Sequence, residues 1–325
     1  MTNTTRGMGP KRIVPAVGDP VGDLSERLVD ALTAAYGMHA GHRAAHAKGV
    51  LCSGTFTATP AAAVLSKAAH FQGRPVRVHV RFSNGAGDPT IADGTRDARG
   101  MAVKHYLPDG TTTDVVTLTL PCFFTRTPEE LIEFNLARRP LPETGAPDMD
   151  KVGAFLAEHP ETVPAVTAAI SAPIPASYAQ LTYHAIHAFE FVAADGTIRA
   201  ARYHFVPAAG EASISDEEAA ARADGYLRDE LDARFASAPA IFHVDLELAA
   251  DDDPIDDPTA VWPEGRDVVR VGELSVDALA FDREVDGDVL VFDPTRLTDG
   301  IEATDDKILA ARSGAYRVSV ARRTQ

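Results

Sequence analysis

Apolar residues recur at helical spacing through Leu24, Leu28, Ala31, Leu32 and Ala35, and Gly37 follows as a stop signal. This spacing predicts a helix over 24–36. The period then changes. Val76-Arg-Val-His-Val-Arg-Phe82 alternates strictly, as a strand with one buried face should. Side chains of a strand point to its two sides in turn, so Val76, Val78 and Val80 share one face. Arg77, His79, Arg81 and Ser83 share the other. The runs 100–106 and 111–120, with Asp109-Gly110 between them, predict a hairpin. Helical signals return over 128–138 and 148–169, and a second hairpin is predicted from 187–192 and 198–206 around Asp195-Gly196. Ser215 and Glu218 have capping-box spacing, for a helix reaching to about Phe235. Strands over 240–248 and 268–279 and a helix over 305–312 complete the pattern. Strands at a hairpin rhythm with helices grouped between them predict an α+β fold built on an antiparallel barrel. No internal repeat or linker divides the chain, and residues 1–20, polar and rich in Gly and Pro, are expected to form a flexible arm.

Composition narrows the function classes. Among 325 residues, 45% are hydrophobic and 24% charged, enough for a sizeable core and ordinary for a water-soluble protein. A net charge of −16 argues against nucleic acid and anionic membranes, which need a basic footprint. No stretch reaches the roughly 18 apolar residues of a membrane span, and the first twenty residues lack a secretory pattern. Cys52 and Cys122 form no CxxC or zinc pattern and fit a reducing compartment, so a cytoplasmic location is expected. The acidic run 251–257 lacks the Gly and terminal Glu of a calcium loop and reads as surface. No phosphate-binding glycine loop is present.

Three histidines cluster in His39-Ala-Gly-His42-Arg-Ala-Ala-His46-Ala-Lys-Gly49. His42 and His46 are four apart, a spacing that suits a metal on one helix face, but no HExxH pattern or nearby carboxylate supports zinc. Surface histidines are the alternative. The surrounding sequence adds a third reading. Arg43-Ala-Ala-His46-Ala-Lys-Gly49 is followed in order by Val80-Arg81-Phe82-Ser83, by Arg96-Asp97-Ala-Arg99-Gly100-Met-Ala-Val-Lys104, and by Asp114-Val-Val116 through Pro121-Cys-Phe123-Phe124-Thr-Arg126-Thr-Pro128. Val261-Trp262-Pro263, Phe292-Asp-Pro294, Gly300-Ile-Glu302 and Arg312-Ser-Gly-Ala-Tyr316 close the series. Across 43–323 these blocks resemble, in order, those of the haem catalases.

That resemblance implies an antiparallel eight-stranded β-barrel with surrounding helices, a single catalase-core domain over 1–325, and haem, expected to be ferric haem b. It makes Tyr316 the iron ligand and His46 the acid–base residue, with Ser83 fixing the imidazole. Arg43, Arg81 and Arg323 match arginines that pair with haem propionates, a task suited to a bidentate fork. Arg312, one helical turn before Tyr316, would favour its phenolate, since a free phenol titrates near 10. Asp97 matches a channel carboxylate, with a structural Asp bonded to Arg96 or Arg99 as the alternative. Phe123 is expected against the cofactor.

The pattern also departs from the family. Where the family carries a distal asparagine, this chain reads Thr117-Leu118-Thr119-Leu120-Pro121, leaving Leu118 at the position and Thr119 as the candidate polar group. The aromatic over the distal haem face becomes Leu131. The combination resembles the small catalase-related peroxidases of the family. It implies reduction of hydrogen peroxide or organic hydroperoxides with small organic donors, weak disproportionation, and a homodimer. A true catalase, a hydroperoxide isomerase, and a non-catalytic haem module or sensor are the rivals.

Overall fold

The computed structural model describes residues 21–281 and 289–324; the expected arm over 1–20 lies outside the described residues. Helix α1 spans Val21–Tyr36 and stops at Gly37, whose φ of 85° suits a residue without Cβ. Strand β1 (Gly49–Ala58), helix α2 (Pro60–Leu65) and strands β2 (Val76–Asn84), β3 (Arg99–Tyr106) and β4 (Thr112–Leu118) follow. Then come helices α3 (Pro128–Ala137), α4 (Met149–Glu158) and α5 (Val163–Ile170). A run of strands comes next, β5 (Ile174–Pro175), β6 (Tyr183–His184), β7 (Phe189–Val192), β8 (Ile198–Pro207) and β9 (Ser213–Ile214). Helices α6 (Asp216–Ala220) and α7 (Tyr226–Phe235) precede β10 (Ala240–Leu248), β11 (Val268–Leu279) and β12 (Ile301–Ala303), and α8 (Lys307–Arg323) ends the described chain.

Strands pair in the order β10, β11, β1, β2, β3, β4, β6, β8, and a β8–β10 pairing closes the ring. The result is an eight-stranded antiparallel barrel, with β7 and β12 extending the sheet from β8. Its interior is filled. Val78, Val80 and Phe82 of β2 lie opposite His105, Val103 and Met101 of β3, and all of these side chains are buried. The other parity of the same strands points outward, so Arg81 and Ser83 lie beside Ala102 and Gly100. Helices α1, α3 and α8 pack together over the site described below. The predicted alternation of β2 therefore sorts the barrel core from the wall of a site outside the barrel.

Three helical expectations change. The 148–169 segment breaks at His159-Pro160, because a residue before proline is pushed out of the helical region. The helix expected from Asp216 to Phe235 is two helices. The capping box of Ser215 and Glu218 is present, but Asp93 takes the amide of Leu227 (3.0 Å) and donates its own to Asp224 O (3.0 Å), anchoring α7 to the barrel edge. The last helix runs on to Arg323, since nothing over 307–323 breaks it. No described helix is long and apolar enough to cross a membrane.

Candidate active site

A cavity of about 850 Å³ lies on the outer face of β2, β3 and β4, under α1, α3 and α8. Leu28, Leu32, Val116, Leu120, Leu131 and Phe134 give it a mainly apolar lining. His46 enters it from the segment leading into β1. Its φ of 55° is left-handed and is the one such value among the described non-glycine residues. That geometry costs on the order of 1–3 kcal/mol and survives only where the surroundings enforce it. Here they do, because His46 N donates to Gly85 O and Ala47 N to Ala86 O, both at 3.0 Å. Ser83 Oγ lies 3.1 Å from His46 Nδ1. Gly100 leaves room for both, since a Cβ there would sit 2.8 Å from Ser83 Oγ and 2.9 Å from His46 Nδ1. Burial holds the imidazole pKa down to about 3, and the cations of Arg81, Arg312 and Arg43 add to the effect. His46 is therefore a neutral base at physiological pH.

Tyr316 lines the same cavity from α8, and its hydroxyl takes two bonds from Arg312, from Nε at 3.0 Å and Nη2 at 2.5 Å. The two residues are one turn apart, as their spacing requires. Arg312 Nη1 lies 3.0 Å from His187 Nε2, and His187 Nδ1 lies 2.6 Å from Asp306 Oδ2. Asp306 also caps α8, accepting from Leu309 N at 3.0 Å. A four-residue hydrogen-bonded line thus runs from the helix cap to the phenol.

Arg43, Arg81 and Arg323 also line the cavity. Each is steadied from behind, Arg43 by Leu290 O (2.9 Å), Arg81 by Ala47 O (3.2 Å) and Arg323 by Ser319 Oγ (3.4 Å). Phe123, Leu118 and Leu131 are lining residues as well. Asp97 lines the cavity and accepts from Ala86 N at 2.8 Å; burial pushes its carboxyl pKa up against the pull of Arg99. Arg96 pairs instead with Asp216. Thr119 departs from expectation. Its hydroxyl accepts the amide of Arg99 at 2.9 Å and it is not among the lining residues, because strand parity turns Leu118 inward in its place.

The sequence model of the family described as Catalase matches residues 26–324. A catalase-related peroxidase of Mycolicibacterium paratuberculosis is 42% identical over 300 residues, covering 92% of this chain and 94% of that protein. One from Synechococcus elongatus is 34% identical over 300 residues, covering 92% of this chain and 88% of that protein. The catalase of Rattus norvegicus is 32% identical over 288 residues, 84% of this chain but only 54% of its own length.

The chain belongs to the catalase family.

Catalase-family proteins depend on haem, and the residues on these walls fit that group. A tyrosine oxygen faces the cavity and accepts two N–H donors of the Arg312 guanidinium, and tyrosine oxygen is one of the groups that hold haem iron. Three further arginines suit two propionates, and the apolar lining suits a porphyrin face. His187 and Asp306 escaped the sequence reading, since a histidine at a strand edge carries no periodic signal and its partner lies 119 residues away. His39 and His42 do not join His46. His39 Nε2 lies 3.1 Å from Tyr36 O and His42 is exposed, and no potential metal-binding group among the described residues includes them. Cys52 and Cys122 are free buried thiols, and burial pushes Cys52 up to about 12.

Proposed function

We propose that the chain is a haem peroxidase that reduces hydrogen peroxide or organic hydroperoxides with electrons from small organic donors, and that disproportionates peroxide only weakly. One observation carries this reading: the neutral His46 with Ser83, and Tyr316 with Arg312, open into one mainly apolar cavity. Tyr316 would hold the iron through its phenolate, and Arg43, Arg81 and Arg323 would hold the propionates. Phe123 would pack against the porphyrin of a ferric haem b. Bound there, haem supplies the redox capacity that peroxide cleavage requires. The chain supplies the proton handling. Ser83 fixes the imidazole at Nδ1, leaving Nε2 to take the proton of the bound peroxide. His46 then returns that proton to the outer oxygen, which leaves as water or alcohol. Its low pKa makes the protonated form a strong acid for this second step.

Leu118 supports peroxidase over catalase. It offers no amide in the cavity to orient the second peroxide that disproportionation must oxidise, and the hydroxyl of Thr119 is already bonded to Arg99 N. No proton step is assigned to Thr119. The retained acid–base pair argues against a mere haem-holding module, which needs neither His46 nor Ser83. Oxygen release and donor oxidation measured side by side at matched peroxide test the reading. Donor oxidation should exceed oxygen release. Oxygen evolution outrunning donor oxidation would establish a catalase, and neither activity would establish a binding module.

A further inference from the structure

We propose a second metal site, for a borderline divalent cation such as Zn²⁺, formed by Glu130, His159 and Glu161 at the joint between α3, α4 and α5. One ligand atom from each of these half-buried residues lies within 4.8 Å of the others. One imidazole with two carboxylates suits zinc and its neighbours, whereas Ca²⁺ and Mg²⁺ prefer oxygen alone.

Each side chain is held from behind. Glu130 is the capping-box residue of α3, and its Oε2 accepts the amides of Arg126 (2.9 Å) and Thr127 (3.2 Å), which leaves Oε1 for a cation. The ring of His159 stacks on Phe155 at 4.3 Å between centroids, and its amide donates to Phe155 O at 2.8 Å. Pro160 stiffens the turn that brings Glu161 Oε1 within 3.6 Å of His159 Nδ1. Arg126 reaches Glu161 only at 3.9 Å, while its Nε is drawn 2.9 Å from Asp257. Two converging carboxylates therefore face the imidazole, with the Arg126 guanidinium at the edge of ion-pair range and shared with Asp257.

The location gives the ion a task. Leu156, three residues before His159, and Val166, on α5, line the large cavity, as does Leu131 next to Glu130. An ion here would staple the α4–α5 joint to α3 and so fix one wall of the haem cavity, without touching His46 or Tyr316.

The haem-loaded protein, stripped of loosely held metal with a chelator, is titrated with ZnCl₂ by calorimetry alongside His159→Ala and Glu161→Gln. Matching Soret bands and far-ultraviolet dichroism establish that the variants are folded. Losing a group that merely hydrogen-bonds a metal ligand weakens metal sites about 10–100-fold, so losing a ligand should weaken Zn²⁺ binding at least tenfold in both variants. Three results overturn the site: no saturable binding to the wild type, equal binding in all three proteins, or weakening by His159→Ala alone. The last would reduce it to a histidine binding zinc by itself, and the first would leave His159 and Glu161 as a side-chain contact within the turn. None of these readouts depends on peroxidase turnover.

Discussion

At His46 a strained backbone and a depressed pKa serve the same end. The left-handed φ of 55°, enforced by the amides of His46 and Ala47, aims the ring into the cavity, and enclosure there keeps it uncharged. A base with pKa about 3 takes protons less avidly than one poised near 7, but it stays available throughout the physiological range. The rate of the first reaction with peroxide should therefore stay flat from pH 8 to about 5. It should fall only at more acid pH, as protonation of the imidazole near 3 removes the base. An inflection near 6.5 would mean that the ring is solvated like a free histidine. His46→Ala should keep its haem and lose about 10²–10⁴-fold in this rate. An unchanged rate in rapid-mixing experiments would remove His46 from the mechanism. The contact between His46 and Ser83 was legible in the sequence through the resemblance. The strain was not, because it arises from Gly85 and Ala86, some forty residues downstream.

Elements joined by local periodicity were the easiest to foresee. The alternation of β2 predicted both its core and its outward face, and Gly37 marked the end of α1. Boundaries set by distant partners were not visible, as the break between α6 and α7 shows: it follows the anchoring of Leu227 N on Asp93. Helix α8 carries the most consequential example. Asp306 is both its N-cap and the end of the line through His187 and Arg312 to Tyr316. The two roles separate chemically, because Asn caps a helix about as well as Asp but carries no charge. Asp306→Asn should leave thermal stability nearly unchanged while shifting the absorption bands of the bound haem, as Arg312 loses the carboxylate behind His187. Asp306→Ala should shift the bands and also lose about 1 kcal/mol for the missing cap. An Asn variant with unaltered bands would show that the line does not reach the phenol.

For the molecule as a whole, the closed barrel devotes its interior to packing and its outer face to chemistry, and this division buries histidines on both sides of the wall. His70 and His105 sit in the core, with ring centroids 4.9 Å apart. His46 and His187 stand at the site, and His184 meets His204 on the sheet, Nδ1 to Nδ1, at 2.7 Å. Burial is the leading cause of a lowered pKa in His46, His70, His105, His184 and His187, to about 3 for His46 and about 4 for His105 and His184. The unfolded chain binds protons on these rings below about 6.5, whereas in the folded chain His46, His105 and His184 resist until pH 3–4, and His70 and His187 are shifted the same way. Their contribution to stability is thus fully present above 6.5 and is lost as pH falls towards the folded values. Buried Asp97 and Asp114 oppose this, since their raised pKa values let the folded state hold protons first. Between pH 6.5 and about 4, His46, His105 and His184 each couple unfolding to proton uptake, about 1.4 kcal/mol per pH unit, and the two carboxylates subtract from that total. The melting temperature should accordingly drop steeply between pH 6.5 and 4.5, with pH-stat unfolding registering proton uptake. A melting temperature that stays level across this window would mean that the interior histidines hydrate and charge within the folded state.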